Sequence, residues 1–283
     1  MTTGAATPLL HSAFYRFVPL ADPQGAADAM RALAQGLQGS IVLAGEGISG
    51  AVAGAPAAVA AFESALQQAL AGALRGIAFK HSGCETAPFG RLKVGVKPEI
   101  VALGLPRLAP GQALPPPDDR DGSHLGPAAW RAMLARDDLV LLDNRSHFEF
   151  RLGHFRGATD PQVHNFRDFS AYVQTHAPAW RAAGRPVAMY CTGGIRCDKT
   201  TPWMRSLGLQ VWQLDGGILH YLQQQGGRAD SAWQGDCFVF DRRLALDSRL
   251  QQTGTTAAQV FDPALPDEAW RLQRAQRLDG AAL

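Results

Sequence analysis

The sequence predicts two α/β units in tandem: a ferredoxin-like (split βαβ) domain over residues 12–107 and a parallel-sheet α/β domain over 123–228, followed by a C-terminal extension, 229–283. Three observations carry this expectation. The first hundred residues alternate short β-type runs with runs of helical period in the order β-α-β-β-α-β. A linker, 108–122, falls within PRLAPGQALPPPDDRDG, which is rich in Pro, Gly and Asp and has no periodicity. Beyond it, apolar runs that do not alternate in polarity are separated by helical stretches, as in a helix-covered parallel sheet.

In the first unit, Phe14–Val18 reads as a strand and Ala26–Leu37 as a helix, with Ala26, Met30, Leu33, Ala34 and Leu37 at helical spacing. Ser40–Ala44 and Gly50–Ala53 read as strands joined by the tight turn GEGIS. A second helix, Ala57–Leu70, precedes a last strand, Val94–Ala102. In the second unit the expected strands are Leu139–Asp143, Val187–Tyr190 and Val211–Leu214. The expected helical segments are Ala128–Ala135, Phe166–Val173, Lys199–Leu207 and Leu219–Gln225, with one more near Glu268–Arg277.

Composition narrows the function classes. The four cysteines, Cys84, Cys191, Cys197 and Cys237, are unevenly spaced and do not form a disulfide framework. No apolar run approaches the roughly 20 residues that span a bilayer, and no secretory leader opens the chain. A cytoplasmic protein with functional thiols and no membrane partner is expected. A net charge of +2 announces no nucleic-acid partner, yet three of the four lysines, Lys80, Lys93 and Lys97, lie near Arg91 and Arg107. They form either a solvated basic face or a phosphate-binding one.

Gly45-Glu46-Gly47-Ile48-Ser49-Gly50 fits a dinucleotide fingerprint, but that fingerprint needs a helix to start at its third glycine. Here Ala51-Val52-Ala53 continues as strand, so the segment reads as a hairpin turn. The informative segment is Tyr190-Cys191-Thr192-Gly193-Gly194-Ile195-Arg196-Cys197. A buried strand delivers Cys191 to the carboxyl edge of a sheet, two glycines curl the chain, and a helix follows. Inward amides from Thr192 to Arg196, the helix N-terminus and the Arg196 charge all favour thiolate, so a lowered pKa is expected for Cys191. Cys197, one residue past the loop, serves either as a resolving thiol for oxidised Cys191 or as a small packing residue.

Cys191 to Arg196 resembles the rhodanese active-site loop. Leu142-Asp143-Asn144-Arg145, Glu149 and Gly153-His154-Phe155-Arg156-Gly157-Ala158 resemble its "D-x-R…E…G-H-x-x-G-A" segment, and Leu214-Asp215-Gly216-Gly217-Ile218 its closing turn. With FYRFVPL, IVLAGEGISGAVAG, PFGRLKVGVKPEIVALG and GDCFVFDRR, the chain resembles the tRNA uridine hydroxylase group of rhodanese-domain proteins over about residues 13–245. Asp143 with Arg145, and Glu149 with Arg156, are expected as supporting ion pairs. A loop with four residues between Cys and Arg suits a single sulfur or another small group better than a phosphate. His147-Phe148-Glu149, with His154 or His164, also fits part of a two-histidine, one-carboxylate iron site, but Glu149 already occupies the acidic rhodanese position, and no metal is expected.

The resemblance implies oxygen-dependent conversion of the tRNA wobble uridine to 5-hydroxyuridine, with Cys191 as catalytic thiol acting through a persulfide. It implies molecular oxygen as co-substrate, no identified cofactor and the tRNA anticodon region as partner. Sulfur transfer through a Cys191 persulfide is the alternative. Lys80, Arg91, Lys93, Lys97, Arg242 and Arg243 are the candidate tRNA contacts.

Overall fold

The structure, a computed structural model, describes residues 9–105, 122–228 and 230–280, the last three of these without their side chains. Arg107 and almost all of the expected linker 108–122 lie outside the described residues. The chain divides into two compact units, residues 1–102 and 103–283.

The first unit runs β1 (Leu9–Phe17), α1 (Pro23–Leu33), β2 (Gln38–Ala44), β3 (Gly47–Gly54), α2 (Pro56–Gln68), β4 (Phe79–Cys84) and β5 (Leu92–Val96). α1 starts three residues before the expected Ala26 and ends earlier than the expected Leu37: Pro23 stands in the first turn, and the Asp22 carboxylate accepts the Gly25 N–H at 2.9 Å. Ala26, Ala27 and Met30 on its buried face meet Ile41, Leu43, Ile48 and Val52 of the sheet. The Gly45–Glu46 turn closes an antiparallel hairpin, Ala44 opposite Gly47, as the sequence indicates. No helix begins there. The Glu46 carboxylate instead accepts the Ile100 N–H at 2.8 Å.

The sheet order is β4-β1-β3-β2-β5, and this corrects one expectation. The strand that completes the split βαβ beside β1 is β4, for which the sequence shows no strand pattern. Val94–Ala102 does not fill that place. β5 is an added fifth strand, parallel to β2 at the opposite edge. β4 (FKHSGC) is a polar edge strand without apolar alternation, so pattern cannot find it. β5 stops at Val96 because Pro98 has no N–H to continue the ladder.

The second unit carries β6 (His124–Leu125), α3 (Pro127–Leu134), β7 (Val140–Asp143), α4 (His147–Leu152), β8 (Gly153–Phe155), α5 (Phe169–Ala182), β9 (Val187–Tyr190), α6 (Ile195–Ser206), β10 (Val211–Leu214) and α7 (Gly217–Gln225). Its main sheet, β6-β10-β9-β7, is parallel throughout. Every residue of β7 and β9 is buried, which is why those runs show no polar alternation. One face packs Val140, Leu142, Val187 and Met189 against Phe169, Val173 and Met204; the other packs Leu141, Ala188 and Tyr190 against Trp130, Ile218 and Tyr221.

The extension adds β11 (Trp233–Gly235), β12 (Cys237–Phe238), β13 (Ala245–Leu246), α8 (Ala257–Val260) and α9 (Pro266–Gly280). β11 pairs antiparallel with β8, placing Trp233 opposite Phe155. Phe155 is fully buried at the centre of an aromatic cluster, with ring centroids of Tyr190 and Tyr221 at 4.8 Å, Trp233 at 5.3 Å and Trp130 at 5.8 Å. Phe155→Ala is therefore expected to cost about 3–5 kcal/mol, read from the denaturant midpoint by tryptophan fluorescence. A loss below about 1 kcal/mol would mean that the cluster closes over the cavity.

Candidate active site

Parallel strands β7, β9 and β10 all end at one edge of the sheet, and that edge assembles the site. Cys191 follows β9 directly and is fully buried. The chain then curls through Thr192 and Gly193 to Gly194, the N-cap of α6, whose φ of 98° excludes most side chains. Its N–H donates to Cys191 Sγ at 3.1 Å. The loop is gripped from behind by the start of α7: the Ile218 and Leu219 amides donate to the carbonyls of Cys191 and Thr192 at 3.0 and 3.1 Å. Gly217 makes that approach possible. It sits at φ 71°, and a Cβ there would lie 2.5 Å from the Cys191 carbonyl oxygen.

Burial alone pushes the Cys191 thiol up. The hydrogen bond from the Cys197 thiol, the Arg196 charge and the amides of Cys197 and Arg196 outweigh it, bringing the pKa from 9.0 down to about 6. Cys197 moves the opposite way, well above the ordinary thiol value, through burial and the adjacent Cys191 charge. It is the neutral donor of the pair. Behind it, Asn144 Nδ2 reaches Cys197 Sγ at 3.8 Å and Thr200 Oγ1 at 2.8 Å, linking the end of β7 to the first turns of α6.

Arg196 is buried and meets Glu149 through two hydrogen bonds, 2.7 and 2.8 Å. Glu149 is completely buried. Burial raises its pKa, but the Arg196 charge and hydrogen bonds prevail and hold it below the usual carboxylate range. Glu149 also accepts the Ser146 N–H at 3.1 Å, forming with Ser146 the capping box of α4, and the Thr192 hydroxyl at 3.3 Å. A second ion pair, Arg145 with Asp143 at 2.6 and 2.8 Å, lies wholly buried beneath it. Arg145 also donates to the Gly153 carbonyl at 2.6 Å and packs over the Tyr190 and Trp233 rings.

A thiolate in a loop of inward amides, with an ion-paired arginine closing the loop, is the arrangement for a nucleophilic or sulfur-carrying cysteine. Residues 10–100 match the family described as UPF0176 acylphosphatase like domain, and residues 127–224 match the Rhodanese-like domain. A tRNA uridine(34) hydroxylase of Synechococcus elongatus is 45% identical over 243 residues, 84% of this chain and 85% of that one. Another, from Nitrobacter winogradskyi, is 41% identical over 265 residues, 91% and 98% of the two chains. A third, from Jannaschia sp. (strain CCS1), is 40% identical over 244 residues, 85% and 77%. The chain belongs to the tRNA uridine(34) hydroxylase family.

Against the family pattern, the structure brings together Cys191, Thr192, Gly193, Gly194, Ile195, Arg196 and Cys197 with Asp143, Arg145 and Glu149. Arg156 is a correction. It is exposed, while Glu149 is buried and gives its carboxylate to Arg196. Adjacency in a motif misleads here, because the partner lies 47 positions away. Of the H-x-E pattern, His147 stands edge-on to His164 with ring centroids 6.5 Å apart, and no group of three His, Cys, Asp or Glu among the described residues is placed to hold a metal ion. Glu149 is occupied, His147 Nδ1 pairs with Asp160 at 2.6 Å, and His154 stacks on Phe150 and bonds its carbonyl.

The basic residues separate. Lys80 lies on edge strand β4, over the Tyr15 ring, whereas Lys93 lies on β5 at the other edge, flanked by Arg91 and Lys97. Four strand spacings put those edges roughly 19 Å apart. Arg91, Lys93, Lys97 and Arg242 are exposed. Arg243 is a further correction: it is 3% exposed and clamped by both oxygens of Asp241, so it presents no charge to a phosphate. Sequence reasoning misses Asn144, which stands inside the D-x-R motif but carries no charge to draw notice.

The electrostatics give a sign-definite expectation. A pKa depressed to about 6 leaves Cys191 as thiolate at neutral pH, and that form is lost as pH falls through about 6. Difference ultraviolet titration of wild type against Cys191→Ser should show this midpoint, and Cys197→Ala should raise it. An unchanged midpoint in Cys197→Ala would assign the whole depression to Arg196 and the amides.

Proposed function

We propose that this protein hydroxylates uridine 34 of tRNA at C5, with the Cys191 thiolate as the reacting group of the protein and molecular oxygen as co-substrate. One oxygen atom goes to C5, and the other leaves as water with two electrons and two protons from an external reductant of the thiol class. The observation that carries this reading is a thiolate stabilised by the Gly194 N–H and the Cys197 thiol, in a chain 40–45% identical to tRNA uridine(34) hydroxylases over most of their length. Addition of a thiolate to C6 of uracil raises the electron density at C5, the carbon to be oxidised. Arg196 and the loop amides hold the negative charge before addition and receive it again on release. Because Cys191 is buried, the base reaches it when the half-exposed loop tip, Thr192 and Gly193, moves aside. Position 34 lies in the anticodon loop, and a single-stranded base there can leave its stack to enter the cleft.

In this reading the first unit contributes affinity for the RNA backbone through the exposed group Arg91, Lys93 and Lys97. A sulfurtransferase reading shares the loop but leaves the family's N-terminal unit without a role.

The test is nucleoside mass spectrometry of tRNA incubated with the purified chain and an excess of a small thiol reductant, aerobically and anaerobically. Wild type should form 5-hydroxyuridine only with oxygen, and Cys191→Ser should fall to background while keeping its fold by circular dichroism. Thiosulfate:cyanide turnover without hydroxylation would reverse the assignment in favour of sulfur transfer. Lys93→Glu combined with Lys97→Glu should weaken tRNA binding and lower its salt slope by about 0.7–0.9 for each phosphate left without a cation. Wild-type affinity and slope in that variant would leave the β5 lysines a solvated face.

A further inference from the structure

Large apolar side chains exposed among the described residues are Val96, Phe240 and Trp270. Phe240 differs from the others in its neighbour. Its ring lies on the Arg196 guanidinium, 5.7 Å from centroid to Cζ, yet the residue remains 64% exposed. It also stands perpendicular to Phe238 at 4.9 Å, and Phe238 is fixed in turn against Phe148 at 5.0 Å and Phe261 at 6.0 Å. The backbone on either side is restrained. β12 and β13 pair across it, the Val239 N–H donates to the Leu244 carbonyl at 2.8 Å, and the buried Asp241–Arg243 pair locks the turn.

A lone exposed phenylalanine is ordinary on a protein surface. A rigid one laid on the arginine that closes the catalytic loop is a prepared surface. With one face on Arg196 and 64% of the residue exposed, its opposite face is open to solvent, and the same guanidinium donates to the Thr192 hydroxyl at 3.4 Å. Arg242, two residues on, is exposed beside it and supplies positive charge where a backbone phosphate would pass. Planar bases stack on such aromatic faces without demanding a particular hydrogen-bond pattern, and the cation on the far face strengthens the stack.

We infer that Phe240 is a base-stacking platform at the entrance to the Cys191 loop, receiving a nucleobase of the anticodon loop as uridine 34 enters. This rests on the tRNA reading above. It assigns binding to a residue of the C-terminal extension, outside the segment 127–224 that matches the rhodanese family.

The experiment compares wild type, Phe240→Leu and Phe240→Trp on an anticodon stem-loop RNA with uridine at position 34. Leucine keeps apolar bulk and removes the π face; tryptophan keeps it. Phe240→Leu should lower kcat/KM by about ten-fold or more, chiefly through KM, and Phe240→Trp should restore it. The Cys191 titration midpoint should stay at the wild-type value in both. Wild-type kcat/KM in Phe240→Leu would overturn the proposal. So would a displaced Cys191 midpoint that accounts for the loss, since Phe240 would then act through Arg196 and not on the base. A wild-type enzyme that leaves this RNA unhydroxylated while hydroxylating full-length tRNA would also overturn it, because recognition would then lie away from the anticodon loop. Failure on both RNAs would overturn the tRNA reading itself.

Discussion

The site depends on one buried interaction, the paired hydrogen bonds between Arg196 and Glu149. Side-chain exposures of 9% and 0% leave both charges out of water, where each would be costly alone. Each satisfies the other, and Glu149 does two further things with the same two oxygens while it holds the guanidinium that ends the loop. It caps α4 through the Ser146 N–H, and it accepts the Thr192 hydroxyl at the start of the loop. One carboxylate thus fixes both ends of the curl around Cys191. Its charge also offsets much of the Arg196 field at the sulfur. The Cys197 thiol, the Gly194 N–H at 3.1 Å and the amides of Arg196 and Cys197 therefore share with Arg196 the stabilisation of the Cys191 charge.

Beneath this pair, Asp143 and Arg145 form a floor. Burial pushes the Asp143 carboxyl up and Arg145 pulls it down, and the guanidinium is enclosed by Tyr190 and Trp233. Its remaining bond, to the Gly153 carbonyl, ties the strand end to β8. Within the segment from Asp143 to Gly153, the aspartate, the arginine, the capping serine and Gly153 find partners in one another and in Glu149. A short motif persists as a unit when its interactions close on themselves.

That closure decides what is legible in the sequence. Cys191, its loop and the strands β9 and β10 are legible because fully buried apolar runs and a glycine pair leave few alternatives. The Asp143–Arg145 pair is legible because its members are two positions apart. Glu149 is expected to pair with Arg156 and instead meets Arg196, since nothing local points to an arginine on another helix. β4 is invisible for the opposite reason: an edge strand shields its free side with polar residues and so loses the pattern that marks strands. Cys197 stands between two roles because one of its neighbours, Cys191, lies in its own loop and the other, Asn144, comes from the end of a distant strand. Arg243 looks like a surface charge beside Arg242, and a turn that buries alternate residues separates the two.

The extension after residue 228 belongs to the same network. α4 has six residues, fewer than two turns, and a helix that short has little stability of its own. It is held from the loop side by Glu149. From the other side, Phe148 packs against Phe238 and Phe261, and Arg151 meets the buried Glu268 of α9 at 2.6 Å while donating to the Val260 carbonyl at 3.0 Å. Neighbouring residues of one helix therefore look in opposite directions, into the thiolate loop and into the C-terminal segment. A change in how the extension packs must move α4, and moving α4 moves the carboxylate on which Arg196 is set. The electrostatics at Cys191 are in this sense a property of the whole second unit, including residues more than sixty positions downstream of the thiol.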